Sequence, residues 1–336
     1  MNPFKNLINV LREKELLDYI FYRASKVSVE GLHKLDTIRK ARKKELFRIR
    51  TIETELTKKL NQYIKSYPNF DSLHPFYYEL TNILIDGGVD KIRKILASFQ
   101  GGINVINKIT RETAYKIKKS EDTSEMARLR VAYYGRISSV VKKFSKRFQE
   151  LIEIREILRK LPDIDTSIPT IVVAGYPNVG KSSLVKAIST AKPEIAYYPF
   201  TTRKIIVGIF KQDDFKVQII DSPGLLDRPL SKRNKIELQS ILALKYLAKL
   251  IIYMIDPSET CGYPINEQIS LFDDLIRNFS EIPFIIVQNK IDLYPNKYEK
   301  LNKYNNQFEI YYTDLLNLEG VDEIKRYRIE FFKNST

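Results

Sequence analysis

Residues 175–183 read GYPNVGKSS, and Gly175-x-x-x-x-Gly180-Lys181-Ser182 has the spacing of a loop that holds phosphate. Glycines at its two ends let backbone N–H groups turn toward phosphate oxygens with no Cβ in the way. A helix starting at the loop adds a favourable dipole. In this reading Gly175, Tyr176, Pro177, Asn178, Val179, Gly180 and Ser183 form the cradle. Lys181 reaches the β- and γ-phosphates, and the Ser182 hydroxyl ligates Mg²⁺. The loop follows PTIVVA (169–174), which reads as a buried strand, the context that such a loop requires.

A second cluster points to the base. VQNKID (287–292) places Asn289-Lys290-x-Asp292 at the end of another strand-like run. A carboxylate at Asp292 can accept both the N1–H and the N2 amino hydrogens of guanine, whereas adenine offers no such pair of donors. GTP and GDP are therefore the expected ligands. Between the two clusters, IIDSPG (219–224) supplies Asp221 to hold Mg²⁺ through water and a Gly224 amide to meet the γ-phosphate. YYPFTTR (197–203) supplies a threonine for the metal and the γ-phosphate, with Thr202 favoured over Thr201. Lys181, Thr202 and Gly224 are the expected catalytic groups. The next residue, Leu225, cannot hydrogen-bond a water molecule, so slow intrinsic hydrolysis is expected, with water placed by backbone, a cation or a partner. Asn178 is a candidate ligand for a monovalent cation, K⁺, beside the phosphates.

These residues need elements to hold them. From Ile168 onward strand-like runs at 170–174, 204–210, 216–221, 249–255 and 283–288 alternate with helical patterns such as 236–248 and 266–278. Such alternation predicts an α/β fold, a mostly parallel sheet with helices on both faces. The preceding residues have another rhythm. Apolar residues at intervals of three and four predict one long helix over 28–67, two or three helices over 75–119 with turns at the glycine pairs of 86–88 and 100–102, and a long helix over 123–160 that Pro162 ends. The expectation is an all-α bundle of long antiparallel helices over 1–162, a joint within 161–169, and a P-loop domain over 163–336.

Charge separates the halves. Residues 1–160 carry 34 Lys and Arg against 19 Asp and Glu, so the whole net charge of +15 lies there. A basic excess of this kind suits a polyanionic partner such as RNA. The clusters KKLNQYIKSY, KIKKS and KKFSKRF are the expected contact points. Tyr133, Tyr134, Phe144 and Phe148 lie among basic residues and could stack on bases, but in a bundle they read first as core. Apolar runs such as 250–255 are too short to span a bilayer, Cys261 is the only cysteine, and Lys5, Arg12 and Glu13 interrupt the first residues. No membrane span, no intramolecular disulfide, a cytoplasmic location and a monomer are expected.

GYPNVGKSSLVKAIS, AYYPFTTRKIIVGIF, DSPGLLDRP and above all IDPSETCGYPINEQISLF resemble the Obg-type GTPases and, within them, the nucleolar GTP-binding protein 1 family. The resemblance extends to the long-helix half. It implies a GTPase that acts in assembly of the large ribosomal subunit, with the helical domain on rRNA and the nucleotide domain as switch. Ser222 stands where that family usually has threonine, and YYTDLLNLEGV (311–321) occupies the place of its second base-contacting motif, leaving Thr313 or Asp314 there. Two other readings stay open: a regulatory GTPase whose bundle binds a protein, and a binding module for which GTP is a structural ligand.

Overall fold

The structure, a computed structural model, describes residues 1–28, 35–196, 198, 205–212, 215–221, 226–228 and 234–333. Its first elements are helices: α1 (Glu13–Ser25), α2 (Thr37–Ser66), α3 (Pro75–Leu84), α4 (Gly88–Lys119), α5 (Thr123–Lys142) and α6 (Ser145–Leu158). The chain divides into two compact units, and Pro3–Ser72 with Ile85–Lys160 form the helical one.

In that unit α2 starts where the Asp36 carboxylate accepts the Arg39 N–H at 2.7 Å, and it stops before Pro68. Its stripe of Ile49, Ile52, Leu56 and Leu60 is buried, as is the Ile92, Phe99 and Ile106 stripe of the neighbouring α4. The helices run antiparallel: the Tyr63 ring meets Phe99, while the Tyr133 hydroxyl of α5 reaches Thr110 Oγ1 at 2.9 Å and Ile49 O at 3.2 Å. Two expectations need correction. Helix α4 runs unbroken through Gly101 and Gly102, because Gly102 is a notch rather than a turn: a Cβ there would stand 2.5 Å from the Phe144 ring. The helix expected over 123–160 is two helices, with Phe144 at their junction packed edge-on against Phe99. By contrast the chain does turn at Gly87 and Gly88, both at positive φ. Tyr133, Phe144 and Phe148 are buried core residues, and Tyr134 is half-buried against Phe21.

The other unit gathers Met1–Asn2, Leu73–Leu84 and Leu161–Thr336. It contains β1 (Thr170–Ala174), α7 (Lys181–Ile188), β2 (Glu194–Ala196), β3 (Ile205–Gln212), β4 (Phe215–Asp221), α8 (Lys235–Leu242), β5 (Ala248–Ile255), α9 (Ile265–Asn278), β6 (Phe284–Asn289), β7 (Glu309–Thr313) and α10 (Val321–Lys333). The sheet order is β2-β3-β4-β1-β5-β6-β7. From β4 to β7 all pairs are parallel; β2 and β3 pair antiparallel at one side. Strands β2 and β7 carry too little apolar alternation to announce themselves in sequence. Helix α3 also belongs here, on the sheet side of a boundary drawn at 162. It packs on α8, and its Tyr77 hydroxyl lies 2.9 Å from the carbonyl oxygens of Pro162 and Ile164 and accepts the Ile164 N–H.

Parallel pairing brings the carboxyl ends of β1, β4, β5, β6 and β7 to one edge. Val173 lies beside Asp221, Ala174 beside Tyr253, Ile255 beside Gln288, and Asn289 beside Thr313. In open α/β sheets this edge is where ligands bind.

Candidate functional site

The phosphate loop leaves β1 at Gly175, which has φ 134° and stands so close to β5 that a Cβ would meet Met254 O at 2.4 Å. Its N–H donates to Leu226 O at 3.0 Å. Asn178 also takes a left-handed conformation, φ 64°, which asparagine tolerates better than most residues, and its side chain is exposed. Pro177 is half-buried, while Tyr176 and Val179 are buried beneath the loop. The Lys181 ammonium is buried and folds back on the loop, donating to Gly175 O at 2.7 Å and Tyr176 O at 2.6 Å. Helix α7 begins at this lysine, so the N–H groups of its first turn, Lys181 to Ser183, are directed toward the loop.

At the end of β4 the Asp221 carboxylate is fully buried and accepts a hydrogen bond from the Ser182 hydroxyl. Among the described residues its Oδ1 has no hydrogen-bond partner. Burial pushes this carboxyl up, against the pull of Ser182 and Lys181, and Asp227 pushes the same way as burial. A buried carboxylate oxygen left unsatisfied beside a hydroxyl is a pair of hard oxygen donors. Together they fit Mg²⁺, which takes few protein ligands and keeps water and phosphate oxygens for the rest. Thr201, Thr202, Ser222, Gly224 and Leu225 lie outside the described residues.

The candidate base-recognition cluster is joined to the candidate phosphate loop by one side chain. Asn289 Nδ2 donates to Val179 O at 2.9 Å, and Asn289 Oδ1 accepts from Thr313 Oγ1 at 3.0 Å. Gly180 makes room for this amide, since a Cβ there would lie 2.3 Å from Nδ2. Lys290, at φ 61°, donates from Nζ to Asp256 Oδ2 at 2.7 Å and to Thr260 Oγ1 at 2.8 Å. The Lys290 carbonyl then accepts the N–H groups of Leu293 and Tyr294, both at 3.0 Å, and Asp292 stands exposed within this turn. Thr313 is thus a support of Asn289. Asp314 closes its own turn, accepting from Leu316 N at 2.8 Å and Asn317 Nδ2 at 2.6 Å.

Reading by residue type passed over Asp256 and Gln268. Both belong to the IDPSETCGYPINEQ segment, and both are fully buried. The Gln268 amide accepts the Asp256 N–H at 2.8 Å and donates to Asp256 O at 3.0 Å and Tyr263 O at 2.9 Å, which locks the loop after β5. The signal was an aspartate at the end of a buried strand, but only the adjacency of β5 and β6 shows what it faces.

A family profile for the NOG1 N-terminal helical domain matches residues 4–165, and one for Nucleolar GTP-binding protein 1 (NOG1) matches residues 235–292. The chain belongs to the nucleolar GTP-binding protein 1 family. Members of the family named Nucleolar GTP-binding protein 1 include one from Encephalitozoon cuniculi, 36% identical over 83% of this chain and 52% of its own length. Another, from Arabidopsis thaliana, is 33% identical over 87% of this chain and 43% of its own length. An uncharacterised protein of Methanocaldococcus jannaschii is 40% identical over 87% of this chain and 81% of its own length. The chain thus spans about half the length of the nucleolar GTP-binding protein 1 relatives it matches. Among the described residues no helix is long and apolar enough to cross a membrane.

Proposed function

We propose that this chain is a GTP-binding and GTP-hydrolysing switch that acts on the large ribosomal subunit or its precursor, with its basic helical unit on rRNA. The observation that carries the nucleotide half of this reading is the Asn289–Val179 hydrogen bond, which ties the base-recognition strand to the phosphate loop at one sheet edge. Lys181 and the first N–H groups of α7 would neutralise the phosphates, and Asp292 would accept the two guanine donors. Ser182 and Asp221 would hold Mg²⁺, which would supply positive charge beside the phosphate oxygens. Thr202 and the Gly224 amide would sense the γ-phosphate. With Leu225 in place of a water-orienting side chain, intrinsic turnover would be slow and open to stimulation by K⁺ at Asn178.

Asp292→Asn tests the base reading, because an amide suits the carbonyl of xanthine. The variant is expected to lose GDP affinity on the order of a hundredfold, two good hydrogen bonds to a charged group, and to accept xanthosine diphosphate. An unchanged base preference would remove the guanine assignment. The RNA half of the reading rests on the 34 basic against 19 acidic residues of 1–160. Cosedimentation with large ribosomal subunits across a salt series is expected to show binding that differs between GDP and a non-hydrolysable GTP analogue and falls steeply with salt. No binding in either state would transfer the basic unit to a protein partner. Equal turnover in sodium and potassium buffers would dismiss the role of Asn178.

A further inference from the structure

The loop between β5 and α9 contains a buried carboxylate that is bonded within its own loop and to one residue of the candidate base-recognition cluster, Lys290. Asp256 has no exposed surface. Its Oδ1 accepts from Ser258 N at 3.0 Å and from the Ser258 hydroxyl, and its Oδ2 accepts from Cys261 N at 2.8 Å, Thr260 Oγ1 at 3.1 Å and Lys290 Nζ at 2.7 Å. Lys290 is the one cation in this set, and it belongs to Asn289-Lys290-x-Asp292.

The backbone of Lys290 explains why such an anchor is needed. A lysine at φ 61° occupies a region that side-chain-bearing residues rarely adopt, and it persists only where surroundings hold it. Two sets of contacts do so. One is the Nζ pair with Asp256 and Thr260; the other is the carbonyl, which receives the Leu293 and Tyr294 N–H groups. The turn formed by those backbone bonds carries Asp292. The side chain of Lys290 is therefore a tether whose fixed end is Asp256 and whose moving end sets the placement of Asp292. Burial alone would push the Asp256 carboxyl up, but its bonds with Lys290 and Ser258 outweigh burial and hold it below the usual carboxylate range, charged as the pair requires.

The same loop also supports the phosphate side. Tyr263 lies on the ring of the phosphate-loop Tyr176, with centroids 4.5 Å apart. The Gln268 amide keeps Asp256 and Tyr263 in one rigid segment.

We propose that Asp256 is a positioning residue for base selection: through Lys290 it holds the turn that presents Asp292. This rests on the guanine reading of the site. The test compares GDP with inosine diphosphate, which lacks the N2 amino group that Asp292 would accept, and with ADP, by calorimetric titration. In Asp256→Asn, which keeps the shape and removes the charge, GDP affinity is expected to fall about tenfold, the weight of one charge-assisted hydrogen bond. Inosine diphosphate affinity is expected to fall about twofold at most, so the GDP preference narrows. Lys290→Met should narrow it equally, and the double variant no further, because the two act as one unit.

Three results discriminate. Equal losses for GDP and inosine diphosphate in Asp256→Asn would make Asp256 a general support of the fold and overturn the inference. Additive losses in the double variant would overturn it as well. A wild-type protein that binds ADP as well as GDP would instead defeat the guanine reading itself. If Asp256→Asn does not fold, Thr260→Val removes one lysine contact at an exposed position. Its GDP preference over inosine diphosphate should narrow two- to threefold, and an unchanged preference would count against the tether.

Discussion

The phosphate loop and the base-recognition end face each other across one hydrogen bond, yet they are built in opposite ways. Residues 175–183 shape themselves mainly through their own backbone: positive φ at Gly175, Asn178 and Gly180, a lysine folded onto the carbonyls of Gly175 and Tyr176, and a helix that starts at that lysine. The base end borrows from distant segments. Asn289 needs Thr313 and Val179, and Lys290 needs Asp256 and Thr260. A site for phosphate can be written in one stretch because phosphate is read by main-chain N–H groups. Base selection relies on side chains at fixed distances, and those need a scaffold.

This contrast can be broken from the phosphate side first, where the largest effect is expected. In Gly175→Ala the new Cβ would meet the Met254 backbone oxygen at 2.4 Å, and neither backbone can yield cheaply. Nucleotide affinity should fall by more than about a hundredfold for GDP and inosine diphosphate alike, the strain being ~3 kcal/mol and independent of base. A selective loss of GDP would contradict the division of labour described above.

Asn289→Ala attacks the link itself and should come next in size. It leaves the buried Val179 carbonyl and Thr313 hydroxyl without their partner, at about 2 kcal/mol of stability in a thermal melt, and weakens GDP roughly thirtyfold. Asp292→Asn, whose side chain is exposed, should leave the melt within about 0.5 kcal/mol while changing base preference. The pair of melts separates scaffold from reader.

The same distinction between a locally set residue and one set by its surroundings can be sharpened in α4. Gly101 faces open space in the middle of a helix, so Gly101→Ala is expected to stabilise by up to about 1 kcal/mol. Gly102→Ala would press on the Phe144 ring and should destabilise by about 1–3 kcal/mol in chemical denaturation. Equal responses at the two positions would mean that the ring moves aside freely.

Much was legible without coordinates. The loop at 175–183, the Asn289-Lys290-x-Asp292 cluster and the change from helical spacing to strand–helix alternation near Ile168 are local patterns, set by backbone freedom and side-chain period within a few residues. Other features were illegible for a common reason. Gly101 and Gly102 look alike in sequence, and only the packing of Phe144 distinguishes them. Helix α3 lies between two bundle helices in the chain, α2 and α4, but belongs with the sheet, where Tyr77 meets Ile164.

The sequence by itself thus determined the candidate phosphate cradle, the candidate base reader and the order of helical and α/β units, because each is encoded by residues that are neighbours in the chain. Tertiary structure alone decided that β5 lies beside β6, and with it that Asp256 meets Lys290 across 34 positions of sequence. Such a meeting is created by strand order and burial, which depend on the whole sheet and leave no periodic trace near either residue.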